Sequence, residues 1–179
     1  MNVPEEFIYP IGKMPILFNY TADHIQNGIQ RIANLPEKLT ALTHALSDDE
    51  LALTYRPNGW NIRQIVHHIA DSHINSYLRC KFAMELENPT IMPYDENVWA
   101  CFRDGAELPV DSTLKLLEGL HFRWVTFLKS LDAKDLERTY FHPANQKKTK
   151  IGETILMYAW HSDHHFAQIK GILERRTPA

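Results

Sequence analysis

Residues 61–77 read Asn61-Ile62-Arg63-Gln64-Ile65-Val66-His67-His68-Ile69-Ala70-Asp71-Ser72-His73-Ile74-Asn75-Ser76-Tyr77, and their spacing decides the fold class. Ile62, Ile65, Val66, Ile69, His73 and Tyr77 recur at steps of three and four, which is one stripe of an amphipathic helix. Asn61 is placed to cap its start, and the pattern extends to about Glu87. Three further helical patterns flank it. One runs from about Thr21 to Leu46 through Ile25, Ile29, Ile32, Leu35, Leu39 and Leu42, with Pro36 expected to kink or divide it. Another runs from about Ser112 to Leu131 through Leu114, Leu117, His121, Trp124 and Leu128, with Asp111 or Ser112 as its expected N-cap. The last runs from about Ile151 to Arg175. Four long amphipathic helices within one domain length predict an all-α, four-helix bundle.

The intervening sequence fits that frame. Ser47 and Glu50 form a capping-box pair for a short helix, and Tyr55–Gly59 is a turn. Asn88–Val110 carries Pro89, Pro93, Gly105 and Pro109 and is a long connection of the kind that often carries function. A short helix is expected within it, at Asp95–Phe102. Arg138–Lys150 predicts a small β-hairpin before the last helix.

Composition narrows the function classes. The chain has 179 residues, 44% hydrophobic and 23% charged, with a formal charge of −3. One domain over 1–179 is expected. The charge balance gives no footprint for nucleic acid. No apolar run approaches the roughly 20 residues of a membrane span. Met1–Gly12 lacks the apolar region of a secretory leader, and Cys80 and Cys101 form no CxxC, so a reduced, cytoplasmic chain is expected. There is no GxSxG serine elbow and no phosphate-binding GxxxxGK[ST] loop.

The compositional excess is ten histidines. Six lie in two clusters: His67, His68 and His73, then His161, His164 and His165. At about 100° per residue, His161 and His165 differ by only about 40°, so both imidazoles reach one point beside their helix. The motif lacks the glutamate of HExxH, which argues against a zincin protease. A third ligand must come from another helix, and His67 and His68 point about 100° apart. His68 borders the apolar stripe, and Gln64, Asn75 and Arg79 share its direction to within about 40°, a polar stripe suited to a cavity wall. His67 reads as exterior or as support for a ligand. Thr154, Tyr158 and Gln168 run along the His161–His165 face. Three neutral imidazoles would leave a divalent ion its full charge and open positions.

Other residues carry simpler readings. His121 reads as a satisfied core histidine, and His142 as a loop residue that either covers a site or does not. Trp60, Trp99, Trp124 and Trp160 read as core. Asp71 and Asp163 serve either to orient ligand imidazoles or as solvated helix charges. Arg79 is an anion anchor or a surface ion pair.

Several of these stretches together resemble a known family. They are Tyr9-Pro10-Ile11-Gly12, Gly59-Trp60-Asn61-Ile62-Arg63-Gln64 running on to His73, and Trp160-His161-Ser162-Asp163-His164-His165. Arg79, Pro93-Tyr94-Asp95-Glu96, Trp124 and Tyr140-Phe141-His142-Pro143 fit as well. The chain resembles the YfiT-like branch of the DinB superfamily over nearly its whole length. The resemblance implies a four-helix bundle with one divalent metal, zinc or nickel, held by His68, His161 and His165, and decides against His67 and His164 as ligands. It implies a homodimer acting on a small-molecule substrate. It also implies a metal-dependent hydrolase or a transferase of low-molecular-weight thiols such as bacillithiol. Thiol transfer is the leading expectation, with the thiol as cosubstrate and Asn75 and Arg79 holding its carboxylates. Hydrolysis by metal-bound hydroxide is the alternative, and a non-catalytic metal-binding stress protein is the second alternative.

Overall fold

The computed structural model describes residues 4–15 and 19–176. Met1–Val3, part of the leader argument, lie outside the described residues. In chain order the helices are α1 (Glu5–Ile8), α2 (Ala22–Thr43), α3 (Asp48–Leu51), α4 (Ile62–Glu85), α5 (Glu96–Trp99), α6 (Arg103–Ala106), α7 (Asp111–Lys129), α8 (Ala133–Leu136) and α9 (Ile151–Arg176). Strands β1 (Thr139–His142) and β2 (Lys147–Lys150) precede α9 as an antiparallel hairpin, with Tyr140 opposite Thr149.

The helix starts follow from local chemistry. Thr21, Ser47 and Asn61 each accept a backbone N–H from the third helical residue, whose own side chain bonds back to the cap N–H. Helix α7 departs from expectation. It begins at Asp111 after Val110, with no side-chain cap. Pro36 neither divides nor ends α2, which runs on to Thr43 with Pro36 buried inside it. That leaves the Ile32 carbonyl, four residues earlier, without its helical N–H partner.

Packing sets the topology. α2 lies against α9 and α7, and α4 lies against the same two helices, so α2 and α4 stand at opposite corners of the bundle. Gly28 permits the close approach of α2 to α9, because a Cβ there would meet the Ile155 side chain at 3.0 Å. The long connection is stitched to the hairpin: Ile91 N–H donates to Phe141 O at 3.0 Å, and Phe141 N–H to Pro89 O at 2.9 Å.

The apolar core falls into two clusters. One holds Ile25, Ile29, Ile32, Cys80, Trp124, Ile151 and Ile155. The other holds Leu35, Leu39, Ile62, Ile65, Ile69, Leu117 and Ile169. Each fully buried Leu or Ile contributes about 1.5–3 kcal/mol. On α4, α7 and α9 the boundary between clusters falls where the sequence places His73, His121 and His161 with His165. A polar layer therefore crosses the bundle at its waist. Among the described residues, no helix is long and apolar enough to cross a membrane.

Candidate metal centre

The waist of the bundle brings three imidazoles together. The ligand atoms of His68, on α4, and of His161 and His165, on α9, all lie within 4.8 Å of one another. His68 Nε2 and His161 Nε2 are 3.3 Å apart. Around a tetrahedral ion with metal–nitrogen bonds of about 2.0–2.1 Å, two ligand nitrogens stand about 3.3 Å apart. The donor set therefore fits a divalent ion that accepts imidazole.

Each imidazole on α9 is oriented by a partner. His165 Nδ1 lies 2.9 Å from Gln168 Oε1. The amide oxygen only accepts, so Nδ1 carries the proton and Nε2 keeps its lone pair. Gln168 is itself held, its Nε2 donating to Ile8 O at 3.0 Å. His161 is held by a longer chain. His121 Nδ1 lies 2.8 Å from the Ile32 carbonyl, His121 Nε2 lies 2.9 Å from His73 Nδ1, and His73 Nε2 lies 3.1 Å from His161 Nδ1. A carbonyl accepts and never donates, so His121 Nδ1 is the protonated nitrogen. His121 Nε2 then accepts from His73 Nδ1–H, and His73 Nε2 accepts from His161 Nδ1–H. His161 Nε2 is left with its lone pair facing His68. One group from each long helix takes part, and the carbonyl that starts the chain is the one Pro36 leaves free.

The electrostatics support neutral rings throughout. Burial, with His164 next, pushes His68 down to about 4. Burial pushes His121 down to about 4 as well. Burial first, and neighbouring imidazoles after it, hold His73, His161 and His165 well below the usual histidine range. Neutral imidazole is the form that binds a metal.

The remaining residues sort around this centre. Trp60 is half-buried rather than core, its ring centroid 4.5 Å from that of His68 and 6.5 Å from that of His165. Trp124 is core; Trp99 and Trp160 are half-buried. His164 is buried and stacks on Trp160 at 4.5 Å. His67 is not exterior. It is buried, and it ties α4 to the segment before α7, through Leu108 O at 3.1 Å, and to α7 itself, through Thr113 Oγ1 at 2.7 Å. Gln64, expected beside the centre, is used elsewhere: its Oε1 accepts from Asn61 N–H and its Nε2 donates to Ala100 O at 2.9 Å. Tyr158 packs its ring 5.4 Å from His161 and accepts from Ser72 Oγ at 3.3 Å. Thr154 bonds Lys150 O and Tyr140 Oη. Asp163 pairs with Arg31 at 2.7 Å instead of with an imidazole. Asp71 is pushed up to about 6 by burial, then by Asp104. His142 is half-buried at the end of β1. Asn75 and Arg79 line a cavity farther along α4.

Sequence reasoning missed the orienting roles of His73 and His121. The available signal was their position: each interrupts an otherwise apolar stripe, where a buried polar ring must find partners.

The fold and the centre define a class, a helical bundle carrying a three-imidazole site between two of its helices. The model of the DinB superfamily matches residues 31–169, and the chain belongs to that superfamily. It is 46% identical over 167 residues to a protein of Bacillus mycoides strain KBAB4 named "putative metal-dependent hydrolase", covering 93% of this chain and 95% of that one. A Bacillus cereus strain AH820 relative of the same name matches at the same identity and coverage. The solved structure of YfiT from Bacillus subtilis, described as a probable metal-dependent hydrolase with an unusual four-helix bundle topology, superposes with a TM-score of 0.92 at 34% identity, over 96% of this chain and 98% of that one.

Proposed function

We propose that the chain is a metal-dependent enzyme that joins a low-molecular-weight thiol to an electrophilic small molecule, with His68, His161 and His165 as the metal ligands. The observation that carries the reading is the convergence of three neutral imidazoles, two of them oriented by hydrogen bonds. A zinc or nickel ion held there would keep its full charge and lower the pKa of a bound thiol or water. The chain's own part is to present the lone pairs. Gln168 and the His73–His121 pair fix which nitrogen of each α9 ligand is bare, and Trp60 covers the His68 ring. In the transfer, the thiol gives its proton to solvent, its sulfur forms a bond to the electrophilic carbon, and the leaving group departs with the electron pair of the bond that breaks.

Hydrolysis is the second reading, favoured by the names of the relatives above. The same ligands would serve it, with water as nucleophile. The two are separated by one comparison. Zinc- or nickel-loaded protein is given monochlorobimane with and without bacillithiol, and separately ester and amide substrates. Thiol-dependent conjugation, lost in His161→Ala, supports transfer; turnover of the esters or amides without thiol, and no conjugation, overturns it. The homodimer implied by the resemblance belongs to this reading and is checked by light scattering.

A further inference from the structure

Arg79 is spent differently from four other arginines of the chain. Arg31, Arg63 and Arg103 each meet a carboxylate, and Arg138 donates to the Ala83 and Leu86 carbonyls. Arg79 is only 8% exposed. Its Nε is buried without a partner, and none of the ion pairs among the described residues includes it. The groups it acts on electrostatically are themselves uncharged near neutral pH. Burial pushes Cys80 and Tyr94 up to about 12 and raises Tyr140 and Tyr158. Burial first, and Arg79 next, hold His142 below its usual range.

A guanidinium does not deprotonate in a protein, so this charge is permanent. Buried charges are ordinarily matched by a counter-charge. Here the match is missing on the protein side, and the residue opens onto a cavity of about 510 Å³. Asn75 lines the same cavity, and its Nδ2 is already committed to Asp71 O at 2.9 Å, which leaves its amide oxygen free to orient a donor. The rest of the wall is apolar: Leu78, Phe82, Met92 and Pro143. Leu78, Phe82 and Met92 are large hydrophobic side chains left exposed around this opening. Arg79 follows His68 by eleven residues on α4, which at 1.5 Å per residue is about 16 Å along the helix. None of His68, His161 and His165 lines this cavity.

We propose that this cavity is a binding subsite for an organic carboxylate with an apolar body, its carboxylate anchored on the Arg79 guanidinium and its apolar part lying against Leu78, Phe82 and Met92. Planar, two-point pairing suits a carboxylate, and the apolar rim selects against inorganic phosphate and other fully polar anions. The subsite stands on the unmatched charge and the cavity, and its binding is read without turnover at the metal centre.

The test is a calorimetric or NMR titration of the purified chain with hexanoate, its uncharged isostere hexanamide, acetate and inorganic phosphate. Hexanoate is expected to bind saturably, at least about 10-fold tighter than the other three, because only it uses both the charge and the rim. Arg79→Met keeps the apolar stem and removes the charge. In that variant the preference for hexanoate over hexanamide is expected to vanish, with hexanamide binding unchanged. Because no protein partner is lost, the ligand-free Tm of Arg79→Met is expected to equal or exceed that of the parent. Equal binding of hexanoate and hexanamide, undiminished hexanoate binding in Arg79→Met, or a lower ligand-free Tm in that variant each overturns the proposal. The readout is binding and not turnover, so its failure is distinguishable from failure of the metal-centre reading.

Discussion

Pro36 and His121 are linked through a single oxygen. The proline ring has no N–H to return to the Ile32 carbonyl, and His121 Nδ1 donates to that carbonyl at 2.8 Å. A helix defect on α2 thus becomes the acceptor that fixes the protonated nitrogen of His121. Through His73 it fixes that of His161 as well. Orienting groups behind a metal ligand typically change affinity by about 10–100-fold.

Pro36→Ala restores an N–H that competes for the Ile32 oxygen. Two effects of opposite sign are expected. The helix gains from the exchange, since proline in a helix interior costs up to about 3 kcal/mol relative to alanine, so the metal-free Tm rises. Zinc affinity, read by competition with a chromophoric chelator, falls by about 10-fold. Unchanged affinity would sink the link between the proline and the centre.

His121→Phe keeps the ring shape and removes both nitrogens. His73 Nδ1–H is then buried, on a residue with 0% exposure, without its acceptor. Destabilisation of about 1–3 kcal/mol is expected in urea denaturation, and zinc affinity should drop by about 10–100-fold. Nitrogen-15 NMR of the parent imidazoles should find His161 protonated at Nδ1 and His121 likewise. A His121 protonated at Nε2 contradicts the chain as drawn.

Gln168→Leu breaks the bridge between His165 Nδ1 and Ile8 O. Zinc affinity is expected to fall by about 10-fold, because the His165 ring loses the contact that selects its tautomer. Proteolytic cleavage near α1 should accelerate, since Gln168 is one of the ties holding that segment to α9. Cleavage at the parental rate would mean the tie does not limit opening there.

Acid should unfold the metal-free protein early. His68 and His121 fall from the usual 6.5 to about 4 on folding, both through burial. A lowered histidine contributes stability that is complete above about pH 6.5 and is lost as pH falls toward 4. The full loss is about 3 kcal/mol for each of the two. His73, His161 and His165 act in the same direction. Asp71, raised to about 6, opposes them, since its folded form gains on protonation. The histidines outnumber it, so urea midpoints should drop steeply between pH 6.5 and 4. Zinc should shift the drop to lower pH, because protons and metal compete for the same lone pairs. A flat profile over that window would mean the buried rings titrate normally.

The fold was largely legible because it rests on local periodicity. Ile62, Ile65, Val66 and Ile69 mark the buried face of α4 whatever packs on it, and Ser47 and Asn61 mark helix starts by their own chemistry. The i,i+4 spacing of His161 and His165 places two imidazoles on one face within a single helix, so that juxtaposition needed no tertiary information. His68 as their neighbour came from its edge position on α4 and from family resemblance together.

What the chain order could not decide depends on which helices meet. His67 and His68 differ by one residue. Only the packing of α4 between α7 and α9 sends His67 to Thr113 and His68 to His161. Gln64 shares the direction of His68, yet the local cap and the Ala100 carbonyl claim it. Pro36 reads as a helix breaker on its own sequence. It becomes a device only because His121, 85 positions later in the chain, reaches the carbonyl it frees. Periodicity fixes a direction around a helix axis, and the sequence by itself therefore determined the helices and their buried faces. The identity of the group waiting in each direction is a property of the assembled bundle, and only the tertiary structure decided it.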